Sequence, residues 1–221
     1  MKKLLLLTTC IALSYIGFAQ VKPVININAG VSSSSIKGET TSQLNNLLEY
    51  TNGMVTTKNH TGFYAGASAG IPLSKTISIE PGLYYTQKGY ELNGDLNIKS
   101  ISFLGANAKA TLQSNYIDIP VLLKANINGL QLFVGPQLSY LTKSNLNAKA
   151  GVFGFSLLNK TWDVTNQFNR WDMGVTGGIG YQLPNGLGIR VSYDRGLSKV
   201  DANKNFDSYN QVFKAGISYN F

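Results

Sequence analysis

Nine charged residues lie in segments where apolar and polar positions alternate, and their placement is the first pointer to chemistry. Eight of them, Glu80, Lys88, Asp118, Lys124, Asp172, Arg190, Asp194 and Lys214, fall on the face opposite the aliphatic residues; only Arg195 shares the aliphatic face. Four acids and four bases on one face could line a pathway for solute or protons. They could equally form a neutral salt-bridge network that fills an interior, since buried charges need partners. The even balance of charge favours the network. Strand adjacency and height pair Glu80 with Lys124, and Lys214 with Asp194.

Other kinds of chemistry find little support. His60 is the only histidine. A Ser–His–acid set could be assembled from loop serines with Glu39 or Glu49, but no spacing supports it. A lipid-modifying enzyme would have to work through His60, and the expectation is a non-enzymatic chain. One histidine without cysteine partners makes a poor transition-metal site. Asp163, Asp201 and Asp207 are too dispersed for a calcium loop, and no glycine-rich phosphate cradle opens a helix. No metal or cofactor is therefore expected.

Period-two alternation defines the elements that would position the charges. Strands are expected at Val24–Ser32, Gly62–Ile71, Ile77–Tyr90, Tyr116–Asn126, Leu130–Leu141, Trp171–Leu183, Leu187–Leu197 and Tyr209–Phe221. The connections 72–76, 127–129 and 184–186 are tight and carry Pro or Asn-Gly turn chemistry. Long polar connections span 33–61, 91–115 and 142–170, with a shorter one at 198–208. A helical piece is expected at 42–50. Residues 152–158, with Trp162 and Phe168, suggest a hairpin packing over the barrel mouth, or else a partner site. Pro120, and similarly Pro81 and Pro136, should demand a bulge or a gap in the ladder.

Short turns on one rim and long loops on the other mark a bacterial outer-membrane barrel. The tail agrees: Phe213, Ala215, Ile217, Tyr219 and Phe221 alternate with polar or small residues and end on an aromatic, with Tyr219 and Phe221 as the expected assembly signal. Phe63, Tyr85, Tyr140, Trp171, Tyr181 and Tyr209 are placed as interfacial girdles, where amphipathic rings suit the headgroup layer. Inward Gly66, Ser68, Gly70, Gly82, Gly174, Gly178, Gly180, Gly188 and Gly216 would leave room for the longer charged chains and for Tyr64 and Tyr84.

The start of the chain fits export. Two lysines precede an apolar stretch, Leu4–Phe18, of signal-peptide length, with cleavage expected after Ala19. This divides the chain into a signal peptide, 1–19, and a barrel domain, 20–221. Cys10, the only cysteine, falls in the first part. Charged residues make up 14% of the chain and 23 residues are glycine, a composition that suits a barrel. The formal charge of +8 drops to +6 without Lys2 and Lys3, and the basic residues are scattered. That distribution suits contact with anionic surface sugars and phosphates better than nucleic acid. The fold class is all-β: an eight-stranded antiparallel up-and-down transmembrane barrel.

Tyr116-Ile-Asp-Ile-Pro-Val-Leu-Leu-Lys124, then Asp172-x-Gly-x-x-x-Gly-x-Gly-Tyr181, Tyr193-x-x-Gly-Leu197 and the terminal Gly-x-x-Tyr-x-Phe resemble the PorT-like porin family of outer-membrane barrels. The resemblance covers essentially the whole mature chain and implies the barrel and its membrane. It says little about activity; protein secretion is the task of the name-giving member. The expected function is a barrel with a side-chain-plugged interior and surface loops for interaction or anchoring. The alternatives are a narrow porin for small solutes and a secretion accessory. Expected partners are outer-membrane lipids and lipopolysaccharide, the barrel-assembly machinery during insertion, and an extracellular ligand or protein at loops 33–61, 91–115 and 142–170.

Overall fold

A computed structural model describes residues 22–38, 46, 55–96, 106–152, 155–203 and 207–221. The expected signal peptide and most of the expected helical piece at 42–50 lie outside these residues. Nine strands occur among them: β1 (Val24–Lys37), β2 (Val55–Pro72), β3 (Ile77–Leu96), β4 (Ala106–Ile127), β5 (Leu130–Val152), β6 (Phe155–Asp163), β7 (Trp171–Gln182), β8 (Leu187–Gly196) and β9 (Tyr209–Asn220). All ladders are antiparallel, and the β4–β5 and β1–β9 pairings close a ring of eight in the order β1-β2-β3-β4-β5-β7-β8-β9. Closure leaves no strand edge within the ring.

The expected turns take the forms their residues favour. Asn128 (φ 51°) and Gly129 (φ 89°) both occupy the left-handed region, as a two-residue hairpin between β4 and β5 requires. The turn at Pro184–Gly186 ends on Gly186 at φ 88°.

The distribution of side chains is inverted relative to a soluble protein. Glu80 and Asp118 have no exposed surface, while Ile217 and Ile189 are each 63% exposed. Ile117, Ile119, Val121 and Leu123 alternate outward with Asp118, Pro120, Leu122 and Lys124 inward. No helix among the described residues is long and apolar enough to cross a membrane; the crossing elements are strands.

Two expectations need correction. First, much of 33–37, 55–61, 91–96, 106–115 and 142–152, expected as loop, is strand that carries the wall beyond the ring. Along β4 and β5 the alternation continues there, but the outer face turns polar, with Lys109, Thr111 and Gln113 in line with Ile117, and the apolar outward signal ends. Second, β6 is a ninth strand, paired with the end of β5 outside the ring and so not a ninth or tenth crossing strand. The expected hairpin extension is thus present in the pairing of β5 with β6, and it prolongs the wall. At Pro120 the ladder takes the second of the two expected forms: it has a gap without a bulge, with pairing interrupted at 119–120 toward β3 and at 121–122 toward β5 and the register unchanged on both sides. The register shifts lie higher, at Asn59/Tyr64, Asn115/Tyr116 and Ala150/Gly151.

Candidate functional site: the barrel lumen

Each of the eight charged residues expected inside is buried. They assemble around two carboxylates. Glu80 on β3 is met by Lys124 from the neighbouring β4, by the Ser68 hydroxyl, which donates at 2.8 Å, and by Arg190 Nη1, also at 2.8 Å. Asp118 on β4 is met by Lys88 Nζ at 2.9 Å and Lys214 Nζ at 3.0 Å. Lys214 also reaches Asp194 at 2.7 Å, and the Thr176 hydroxyl donates to the other oxygen of Asp194 at 2.6 Å. Both pairs expected from adjacency, Glu80–Lys124 and Lys214–Asp194, are present.

Adjacency did not anticipate the contacts across the barrel. In the ring, β3 and β8 stand opposite each other with three strands between them on either side, as do β4 and β9. Glu80–Arg190 joins β3 to β8, and Asp118–Lys214 joins β4 to β9. A third, neutral crossing links the Asn210 amide on β9 to the Tyr116 hydroxyl on β4 at 3.4 Å. Of the three, the two charge-assisted crossings are the strong ones.

Aromatic rings complete the packing. Arg190 lies 4.3 Å from the centroid of Phe133, Lys88 lies 4.4 Å from that of Tyr116, and Lys214 lies 5.6 Å from that of Tyr64. Inward glycines make the room: a Cβ at Gly178 would stand 2.6 Å from the Phe133 ring, and one at Gly82 would stand 2.5 Å from the Tyr84 ring. Asp172 is held by the Asn210 amide at 2.9 Å, with no base in ion-pair reach among the described residues.

The neutral partners Asn28, Thr176 and Asn210 were not singled out in the sequence, and Ser68 was placed inward only as a small residue that makes room. Their inward parity was readable, but not which charge each would meet. Asn28 donates to Tyr84 at 2.9 Å and accepts from Arg190 at 3.3 Å.

Little space remains inside. The lumen holds one cavity of about 40 Å³ beside Arg190 and Lys214 and one of about 10 Å³ beside Asp172, room for a few waters at most. Larger spaces open beyond it. One of about 200 Å³ lies at the turn end by Lys75 and Lys124, and one of about 390 Å³ lies along the wall extension by Glu91 and Lys109.

The outward aromatics pair at two levels. Phe63–Tyr85 (5.4 Å between centroids) and Tyr140–Trp171 (4.8 Å) lie toward the extended rim, and Tyr219–Phe221 (4.8 Å) at the turn rim. Tyr193–Phe213 (4.7 Å) is an outer pair that the girdle assignment missed. Tyr181 is exposed and Tyr209 half-buried.

His60 sits within β2, not ahead of it. Its ring Nδ1 is 3.3 Å from Glu91, which also holds Lys109 at 2.7 Å. Glu39 and Glu49 lie outside the described residues.

The family model described as "Outer membrane protein beta-barrel domain" matches residues 18–202. No curated protein matches the sequence. Solved structures with a similar chain path include Ail, the attachment invasion locus protein of Yersinia pestis, at 15% identity and a TM-score of 0.43, covering 90% of this chain and 99% of that one. OprG of Pseudomonas aeruginosa aligns at 12% identity and a TM-score of 0.36, covering 91% and 97%. The outer membrane protease OmpT of Escherichia coli aligns at 12% and 0.31, covering 90% and 97%. The closed ring, the inverted burial and the family match lead to one conclusion: the chain belongs to the outer-membrane β-barrel domain family, and its place is the outer membrane.

Proposed function

We propose that this protein is a non-enzymatic, closed outer-membrane barrel whose wall extension and outer connections engage molecules outside the cell. The observation that carries this reading is the pair of salt bridges that cross the lumen, Glu80–Arg190 and Asp118–Lys214, with only small cavities beside them. A small barrel filled by side chains is an anchor for what stands above it.

A narrow channel is the second reading, favoured by the open space at the turn end beside inward Lys124 and Gln131. Liposome swelling separates the two. Vesicles carrying the refolded mature protein should swell in arabinose no faster than empty vesicles. Swelling that scales with protein content would replace the anchor with a pore.

A further inference from the structure

Above the girdle, the upper parts of β4 and β5 present two unlike faces. One carries Ala108, Ala110, Leu112, Leu146, Ala148 and Ala150. The other carries Lys109, Thr111, Gln113, Asn145, Asn147 and Lys149, and with Glu91 it lines the open space of about 390 Å³. Glu91 binds both His60 and Lys109. β3 and β4 pair without a register shift, so Lys109, Thr111 and Gln113 share the face of outward Ile117, and this polar face continues the outer side of the wall above the girdle.

Lys109 and Lys149 are direct cross-strand partners. Like charges placed opposite each other on antiparallel strands are destabilising. Glu91 neutralises Lys109 alone; Lys149 has no carboxylate in ion-pair reach among the described residues. An anionic group between the two ammonium groups would relieve the repulsion. The amides around them, Gln113, Asn145 and Asn147, offer both donors and acceptors, the pattern that suits sugar hydroxyls.

We propose that this face is a binding site for an anionic saccharide, with the acidic group held between Lys109 and Lys149 and the sugar hydroxyls held by the neighbouring amides. The ligand comes from the external medium and not from the lipids of the same membrane. Glu91 stands six residues beyond Tyr85 of the girdle on β3, on the same outward face and about 20 Å along the strand, so the site lies above the headgroup layer. This rests on the reading that the wall extension is the part that engages molecules outside.

The test is isothermal titration of the mature protein in detergent micelles with trigalacturonate, with neutral maltotriose and inorganic phosphate as comparison probes. Saturable binding of trigalacturonate, absent with maltotriose and weakened about tenfold in Lys149→Gln, is the expected result. The Lys149 side chain is half-exposed or more open, so the variant should fold as the parent does, and heat-modified gel mobility checks this. No saturable binding, unchanged binding in Lys149→Gln, or phosphate binding as tightly as trigalacturonate would overturn the proposal. A barrel that conducts yet binds trigalacturonate would remove the closed-barrel reading and leave this one; a silent barrel that binds nothing would do the reverse.

Discussion

Arg190 and Glu80 meet at 2.8 Å although 110 residues separate them in sequence and their strands stand on opposite sides of the ring. One guanidinium therefore spans the width of the lumen. Its charge is shared with Glu80 at one end and supported by Asn28 and the Phe133 ring along the way. Lys124 completes the neutralisation of the same carboxylate.

Removing one member of such a buried set leaves the others charged and without an acceptor. Glu80→Gln should destabilise the barrel by about 3–5 kcal/mol, because Lys124 and Arg190 would then face a neutral amide. Urea unfolding in lipid vesicles, followed by tryptophan fluorescence, measures it. A loss below about 1 kcal/mol would mean that water reaches these charges and solvates them.

The outer face makes the opposite demand. Ile217 on β9 pairs with Ile189 on β8 and is 63% exposed, between the two aromatic levels. Ile217→Arg should cost about 2–4 kcal/mol in a bilayer, the expense of placing a cation near the membrane midplane. The same substitution at Leu73, in the exposed turn after β2, should cost little. Equal effects at the two sites would contradict the membrane placement.

The eight inner charges and the closed fold were legible in the sequence because parity alone sorts residues to two faces. Two adjacent pairs followed from neighbouring strands. The crossings Glu80–Arg190 and Asp118–Lys214 were not legible, since they depend on which strands end up opposite after closure, and that is a property of the ring and of its strand count. The wall extension was missed for a different reason. Ala106-Asn-Ala-Lys-Ala-Thr-Leu-Gln113 alternates without a break, but its outward positions include Lys109, Thr111 and Gln113, so the apolar-out pattern that marks the strand below is lost. β6 stayed hidden because its pairing with β5 lies outside the ring.

The extension offers a pH test outside the membrane. Partial burial pushes the Glu91 carboxyl up, but the hydrogen bonds and charges of Lys109 and His60 outweigh it and hold the group below its ordinary 4.5. A carboxylate depressed in the folded state contributes stability that is complete above its unfolded value and is lost as pH falls through the folded one. Limited proteolysis should therefore leave the extension intact at neutral pH and cut it increasingly below 4.5, with Glu91→Gln already sensitive at neutral pH. An identical pH profile in the variant would show that Glu91 does not hold this part of the wall.

The closed lumen is tested most directly by single-channel recording of the refolded mature protein in a planar bilayer, beside a variant carrying both Arg190→Ser and Lys214→Ser. The crossing salt bridges predict silence from the parent and small steady openings from the variant, because both bars across the lumen are then shortened. Steady openings from the parent would contradict the account.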